Sequence, residues 1–189
     1  MNGPGGEPSA LVAPEVARAH WQDPERQDEV VEFPPEVLAR LPLPPEQRRY
    51  LQQAGLPRDA APYLSFDVRP PEVLQDLIWY PDPAPRDPYR RYVVLGYDGY
   101  ANPIALDVDR PGAVVFLDNQ YPNFTPVLMN CSIPRLVTSL LVFAEHVAVH
   151  GLDACPEVEL LGGRLQAIDP DAWAADGWWA AVVEELREM

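Results

Sequence analysis

The chain has 189 residues, enough for one domain with a sizeable core and too few for two ordinary domains. It carries 29 acidic and 14 basic residues, a net charge of −15, and every basic residue is arginine. The absence of lysine excludes a P-loop lysine, a Schiff-base lysine and a kinase-type ATP lysine. A strongly negative chain is also repelled by nucleic-acid phosphates and by acidic membranes. The charge therefore predicts a basic partner, with no nucleic acid and no membrane.

The termini and cysteines indicate the compartment. No secretory leader is visible, nor an uninterrupted apolar run of the ~20 residues that a bilayer requires. Two cysteines, Cys131 and Cys155, do not make a disulfide framework. We therefore expect a cytoplasmic protein. Because its first residues are mostly polar, glycine or proline, we expect a disordered tail over residues 1–20, followed by one domain over 21–189.

The first half of the domain is rich in proline, which supplies 24 residues of the chain, against a usual share of about 5%. Proline suits the first turn of a helix, which predicts a short helix at Pro35–Arg40 and a firmer one at Pro44–Ala54. A short strand follows at Tyr63–Phe66. The prolines and aspartates of residues 70–91 indicate an excursion on the surface.

The clearest β pattern lies in the middle of the chain. Apolar and β-branched residues predict strands at Tyr92–Tyr97, Ile104–Val108 and Ala113–Asp118. Asp98-Gly99 is typical of a two-residue hairpin turn, and a second turn follows at 109–112. These strands form an antiparallel meander, to which Val127–Asn130 adds one more strand after a loop at 119–126.

The alternation of side chains in the second strand of the meander assigns its two faces. Ile104, Leu106 and Val108 share one face, while Ala105 and Asp107 share the other. One face of the sheet is therefore core, and the other is polar or covered.

The C-terminal part is helical. Ser132 caps a long helix that runs to about Val149, and a last helix starts near Asp176. The long helix has apolar residues at a spacing of three to four: Ile133, Leu136, Val137, Leu140, Leu141, Ala144, Val147 and Ala148. Strands followed by helices indicate an α+β fold with a central antiparallel sheet flanked by helices.

One pair of residues has the spacing of metal ligands. His146 and His150 lie one helical turn apart, and Cys131 or Cys155 could supply a third ligand. The glutamate of the His-Glu-x-x-His motif is missing, because position 147 is valine. We interpret the pair as two histidines near a helix end, where a cation suits the helix dipole. We expect no metal.

Two other patterns could serve an enzyme. Cys131 with a downstream histidine could form a nucleophile and base, but no local motif accompanies it. The carboxylates Asp98, Asp107, Asp109 and Asp118 could bind calcium or act as acid and base, yet they form no EF-hand loop. Turn chemistry explains Asp98 and Asp109. Asp107 and Asp118 remain candidates for an acidic surface that meets a basic partner.

A longer series of motifs resembles a known family. It begins with Leu41-Pro, Arg48, Tyr50-Leu51 and Gly55-Leu56-Pro57, and continues with Leu95-Gly96, Asp98-Gly99, Pro103-Ile104, Leu106-Asp107, Gly112, Val114, Asp118, Asn130 and Ser132. The order and spacing resemble the SUKH superfamily, most closely its fourth immunity subgroup, over roughly residues 30–188. The proline-rich segment at 70–88 departs from the pattern.

This resemblance implies an immunity protein of a bacterial polymorphic toxin system. Such proteins bind and neutralise a cognate toxin domain, often a nuclease or a nucleic-acid deaminase. The family contributes no catalytic residue and no cofactor. The alternative function is a small cytoplasmic enzyme that uses Cys131 or a metal at His146 and His150.

The uneven distribution of charge suggests where a toxin binds. Residues 1–95 contain 10 arginines and 15 acids, whereas residues 96–189 contain 4 arginines and 14 acids. We expect the acidic face to lie on the meander and the C-terminal helices. The predicted partner-binding residues are Asp107 and Asp118, with Tyr121 and Phe124 of the neighbouring loop as aromatic anchors.

Overall fold

A computed structural model describes residues 11–23, 29–67, 89–120, 123–151, 157–174 and 177–188. The helices in this part are α1 (Pro14–Trp21), α2 (Pro35–Leu38), α3 (Pro45–Ala54), α4 (Ile133–His150), α5 (Val158–Ile168) and α6 (Trp178–Glu188). The strands are β1 (Val30–Val31), β2 (Leu56–Pro57), β3 (Asp59–Ala60), β4 (Leu64–Phe66), β5 (Tyr92–Asp98), β6 (Pro103–Asp107), β7 (Val114–Gln120) and β8 (Asn123–Asn130). Most of the predicted surface excursion, residues 70–88, lies outside the described residues.

The main sheet is the predicted meander, extended at both ends. Its six strands follow the order β3-β4-β5-β6-β7-β8, and each neighbouring pair is antiparallel. Strands β1 and β2 form a separate two-stranded ladder. The α+β fold with a central antiparallel sheet flanked by helices is therefore confirmed. Strand β8 begins at Asn123, so much of the segment predicted as a loop at 119–126 is strand instead.

The turn between β5 and β6 is longer than predicted. Four residues, Gly99–Asn102, separate the strands, and Asp98 holds them in place. Its carboxylate accepts hydrogen bonds from the backbone N–H groups of Tyr100 (2.9 Å) and Asn102 (2.7 Å). The backbone N–H of Asp98 donates to the carbonyl of Asn102 (3.0 Å). The aspartate stabilises this wider turn as an acceptor for backbone donors.

A glycine in β5 allows the neighbouring strand to approach closely. The register between β5 and β6 shifts between Val94 and Gly96, which marks a bulge. A Cβ atom at Gly96 would lie 2.2 Å from the carbonyl oxygen of Ser65 in β4. Only glycine fits this position without displacing β4.

Helix α4 packs on the sheet and supplies much of the core. Five residues of the predicted stripe are confirmed as buried: Ile133, Leu136, Val137, Leu140 and Leu141. The prediction is wrong at Ala148, which is exposed, and Phe143, outside the predicted stripe, is buried. The Ser132 hydroxyl accepts a hydrogen bond from the backbone N–H of Arg135 (3.4 Å), as expected of a helix cap. Gly151 ends the helix with φ 74, a left-handed conformation that favours glycine.

By length and composition, α4 is the one helix in the described ranges that could cross a membrane. Its mean hydropathy is 1.2 over 18 residues, and 56% of this window is buried within the molecule. Burial of this extent is what the core helix of a globular domain shows.

The N-terminal segment corrects one prediction. Residues 14–20, expected to be disordered, belong to α1, where Ala17 and Trp21 are buried. Two long-range hydrogen bonds hold the residue ahead of this helix. The Val12 N–H donates to the Thr138 hydroxyl (3.1 Å), and the Tyr50 hydroxyl donates to the Val12 carbonyl (2.7 Å). Residues 1–10 lie outside the described part of the chain.

A buried polar network joins the end of β8 to the C-terminal helices. The Asn130 side chain donates to the Ser139 hydroxyl (3.3 Å) and accepts from the Trp179 indole (3.0 Å). The Asp169 carboxylate accepts from the Cys131 backbone N–H (2.7 Å) and from the Arg135 guanidinium (3.0 Å). Because buried polar groups are costly when unpaired, these bonds fix how the helices sit on the sheet.

Candidate partner-binding surface

Asp107 was predicted to face a partner, and the structure places it in the interior. Its relative exposure is 0%, and all five residues of β6 are buried. Arg91 donates two hydrogen bonds to the carboxylate, from Nε to Oδ1 (3.0 Å) and from Nη2 to Oδ2 (2.5 Å). Arg110 donates a third from Nε (3.1 Å). Asp107 is therefore an internal ion-pair partner, and its prediction as a surface residue is wrong.

The environment of Asp107 sets its charge state. Burial alone would raise the pKa of this carboxyl, but the hydrogen bonds from Arg91 and Arg110 outweigh burial and lower the pKa below its ordinary value. The backbone N–H of Asp109 adds a further bond at 3.0 Å. Asp107 is thus a carboxylate at neutral pH, held by two arginines that keep contact with water.

The second face of the sheet carries a small apolar cluster, and Phe124 belongs to its edge. The cluster consists of Tyr89, Tyr92, Ala105, Val115 and Leu117. Phe124 packs edge-on against the Tyr89 ring with centroids 5.7 Å apart. Its backbone N–H donates to the Tyr89 hydroxyl (3.2 Å). Phe124 is partly buried and already contacts its own chain.

The other two predicted partner residues stay predictions. Asp118 is half-buried on β7, opposite Thr125 of β8. Tyr121 lies outside the described residues. Asp118 is therefore the one predicted acid that the structure leaves partly accessible.

The C-terminal helices carry more exposed acid than the sequence prediction singled out. We define the helical acidic face as five exposed glutamates: Glu145 of α4, Glu159 of α5, and Glu184, Glu185 and Glu188 of α6. Ion pairs link the three helices across this face. Arg164 bonds Glu145 at 3.0 Å, and Arg187 bonds both Glu159 (2.8 Å) and Glu184 (2.6 Å). These two arginines are fewer than the five glutamates of the face, so its net charge is negative.

All four arginines of residues 96–189 are paired with carboxylates of this chain. Arg110 bonds the buried carboxylate of Asp107, and Arg135 bonds the buried carboxylate of Asp169, while both guanidinium groups keep contact with water. Arg164 and Arg187 lie on the helical acidic face, as described. Each of these arginines is already paired with a carboxylate of the same chain. Residues 96–189 therefore offer little positive charge to the phosphates of a nucleic acid and much negative charge to a basic protein surface.

Cys131 lacks the properties of a catalytic nucleophile. Burial, together with the hydrogen bond to Asp169 and the negative charge of that carboxylate, raises the pKa of its thiol to about 11. The thiol is therefore protonated at neutral pH, whereas nucleophilic cysteines need a lowered pKa. The raised pKa of the thiol does not favour the enzyme alternative at this residue.

The two histidines do lie together. The rings of His146 and His150 are 5.0 Å apart between centroids, at a cleft of about 260 Å³ that Glu145, Leu160 and Arg164 also line. His146 is buried, and burial followed by the charge of His150 lowers its pKa. Over the described ranges, no group of three histidine, cysteine or acidic side chains could hold a metal ion. Cys155, the other possible third ligand, lies outside those ranges.

Two exposed aromatic residues escaped the sequence analysis. Tyr63 and Tyr100 stand at neighbouring turns of the sheet, with exposures of 73% and 89%. Both follow turn-forming residues, Pro62 and Gly99, and a large aromatic side chain in a turn is a signal that could have identified them. Their proximity follows from strand pairing, which the sequence alone does not show.

The fold and surface together describe an α+β domain with one antiparallel meander, helices packed on it and a strongly acidic exterior. The SUKH-4 immunity protein family matches residues 8–185, and the chain belongs to this family. Immunity proteins act on other proteins, which points to a non-enzymatic role and a toxin partner. No curated protein and no solved structure gave a significant match.

Proposed function

We propose that this protein binds a cognate toxin domain directly and neutralises it in the cytoplasm of the bacterial cell that produces both. Membership of the SUKH-4 family supports the immunity role. The observation that supports a basic toxin is the pairing of all four arginines of residues 96–189 with internal or neighbouring carboxylates. The helical acidic face keeps its excess of negative charge as a result.

The chemistry of nucleic-acid enzymes suggests the class of toxin. Nucleases and nucleic-acid deaminases bind phosphates with basic surfaces. An acidic protein attracts such a surface at long range, which accelerates association, and it then occupies the path of the substrate. We therefore propose a nuclease or a nucleic-acid deaminase as the target.

Co-expression and direct binding test this proposal. A candidate toxin domain, chosen from the genes that neighbour this one, is expressed in a sensitive bacterial host with and without the immunity protein, and survival is counted. An inactivated form of the domain is purified, and its binding is measured by calorimetry at low and high salt. We expect rescue, and binding that weakens as salt rises.

A basic protein of unrelated fold, such as a cytochrome c, serves as the control for binding by charge alone. The proposal requires much weaker binding to this control than to the toxin domain. Absence of both rescue and binding by the neighbouring toxin domain would refute the proposed function.

A further inference from the structure

The side chains of Tyr63 and Tyr100 are largely exposed and lie at the same end of the strands of the main sheet. Tyr63 ends the turn between β3 and β4, and Tyr100 lies in the turn between β5 and β6. Because Leu64 of β4 is opposite Asp98 of β5, the two turns are side by side. A Cβ atom at Gly99 would lie 3.3 Å from the Cβ of Tyr63, so the turns touch. Two exposed aromatic side chains therefore share one small area.

Tyr63 occupies a backbone conformation that suits glycine better than an aromatic residue. Its φ is 58, in the left-handed region that bulky residues rarely adopt. The side chain is 73% exposed and so gains little from packing in its own chain. Folding alone would favour glycine here. A strained backbone that carries an exposed aromatic side chain, as at Tyr63, is typical of binding sites.

The second turn holds Tyr100 in place by its backbone. The Asp98 carboxylate accepts hydrogen bonds from the Tyr100 N–H, the Asn102 N–H and the Asn102 side-chain amide (2.9 Å). The next residue, Ala101, also has a positive φ of 64. The turn is therefore ordered while the ring of Tyr100 points to solvent, which reduces the entropy lost when a partner binds.

Two aspartates lie on the strands that lead into the two turns. Asp59 is exposed on β3, and Asp98 lies between the turns. Arg58, beside Asp59, is bonded to Glu29 at 2.7 Å. Among the exposed large hydrophobic side chains of the described residues, Tyr63 and Tyr100 are the aromatic ones; the others are aliphatic. Exposed tyrosine rings on an acidic protein match a surface rich in arginine or lysine, because cations stack on aromatic rings.

We infer that Tyr63 and Tyr100 are the anchors with which this protein docks onto the basic surface of its toxin. The inference rests on the proposed function, and it adds the place of contact. Exposed tyrosines on ordered turns have the character of interface hot spots, which fill the centre of a contact and carry most of its free energy. The helical acidic face then contributes attraction at a distance and need not lie in the centre of the contact.

Variants at the two tyrosines separate binding from folding. The probe is the purified, inactivated form of the same candidate toxin domain, and surface plasmon resonance measures association and dissociation. Tyr63→Gly and Tyr100→Ala are each expected to weaken binding at least tenfold, mainly through faster dissociation. Tyr63→Gly is expected to keep or raise the melting temperature, since glycine relieves the backbone strain. A loss of affinity without a loss of stability identifies an anchor.

Conservative and distant variants complete the design. Tyr63→Phe and Tyr100→Phe keep the rings and should bind within a few-fold of the parent. Val16→Ala removes an exposed apolar side chain from α1 and should bind as the parent does. If the parent binds the toxin domain and both tyrosine variants match it, the inference is refuted while the proposed function stands. If the parent itself does not bind, the proposed function fails and this inference with it.

A fall in melting temperature that parallels the loss of affinity in Tyr63→Gly would mean that Tyr63 serves the fold, which would refute its role as an anchor. The affinity of Tyr100→Ala then tests independently whether Tyr100 is an anchor. Because 89% of this side chain is exposed, its removal leaves the core unchanged.

Discussion

Arg91, just before β5, donates hydrogen bonds to both carboxylate oxygens of Asp107 at the end of β6, with N–O distances of 3.0 and 2.5 Å. The carboxylate is fully buried, whereas the guanidinium reaches solvent. A paired arrangement of this kind is worth more than a surface ion pair, because removal of one partner leaves the other without its bond. Asp107 therefore belongs to the stability of the fold and not to the partner-binding surface.

Replacement of Asp107 by asparagine should destabilise the protein by about 1.5–3 kcal/mol at pH 7, since it removes charged hydrogen bonds from two arginines. The lowered pKa of Asp107 means that its stabilisation is complete above the ordinary value of 3.8 and is lost as the pH falls through the folded-state pKa. The difference between parent and variant should thus narrow below about pH 4. Urea unfolding of the parent and the variant at several pH values measures this difference in the free energy of unfolding.

Asp109→Asn is the matched control, because Asp109 bonds the same arginine at 3.1 Å but is 64% exposed. We expect a cost below about 1 kcal/mol for this exposed pair. Equal costs at the two positions, or a constant difference down to pH 2, would contradict the assignment of Asp107 as the buried partner.

Leu140 lies at the centre of the buried stripe of α4, where it is 1% exposed. Leu140→Ala should cost about 2–5 kcal/mol through lost burial and the cavity that remains. Val149→Ala, on the same helix at 75% exposure, should stay within about 0.5 kcal/mol of the parent. Chemical denaturation measures the free energy of unfolding of both variants. Similar losses for both would show that Leu140 does not lie on the buried face of α4.

Asp169 is an acceptor for donors from several elements, and it is 2% exposed. Asp169→Ala leaves the Cys131 N–H, the Arg135 guanidinium and the Asn130 amide without this acceptor, so we expect a loss of about 2–4 kcal/mol. Asp171→Ala, two residues away and exposed, should change little. Thermal unfolding tests the pair. A stable Asp169→Ala protein would mean that water replaces the carboxylate.

Cys131 should react slowly with alkylating reagents. With its pKa raised to about 11 by burial and by Asp169, the thiolate fraction at pH 8 is about 100-fold smaller than for an ordinary thiol. Iodoacetamide labelling of the Cys155→Ser variant, followed by mass spectrometry from pH 7 to 10, isolates Cys131. Rapid labelling at pH 7 would revive the nucleophile interpretation that the structure does not favour.

Sequence patterns predicted features that depend on a single strand or helix, such as the alternation of side chains along a strand. Alternation placed Asp107 opposite Ile104 and Leu106 correctly, because side-chain direction along a strand depends on that strand alone. The burial of Asp107 could not be predicted from this alternation. Arg91 reaches it from the start of β5, and the second face of the sheet is covered by Tyr89 and Tyr92. Both effects depend on tertiary structure.

Two helices escaped prediction for different reasons. Helix α5 contains Gly162 and Gly163, which are poor helix formers and obscure its apolar stripe. A Cβ atom at Gly162 would lie 3.3 Å from the ring of Trp173, so this glycine makes room for packing. Helix α1 has only eight residues, and long-range bonds to Val12 hold the chain at its start. The packing of Gly162 against Trp173 and the hydrogen bonds of Val12 are tertiary contacts, which a local sequence pattern does not show.

Reversal of charge on the helical acidic face should slow the encounter with the toxin. Glu185→Arg combined with Glu188→Arg should lower the association rate about tenfold at low salt, where steering is strongest, and leave dissociation nearly unchanged. The control, Glu36→Arg with Glu46→Arg, makes the same change of charge at exposed positions on α2 and α3. We expect a smaller effect there, because residues 1–95 have 10 arginines against 15 acids and residues 96–189 only 4 against 14. Stopped-flow association from 10 to 500 mM salt measures both variants. Equal slowing by the two would assign the attraction to net charge alone, and no slowing by either would remove steering from the mechanism.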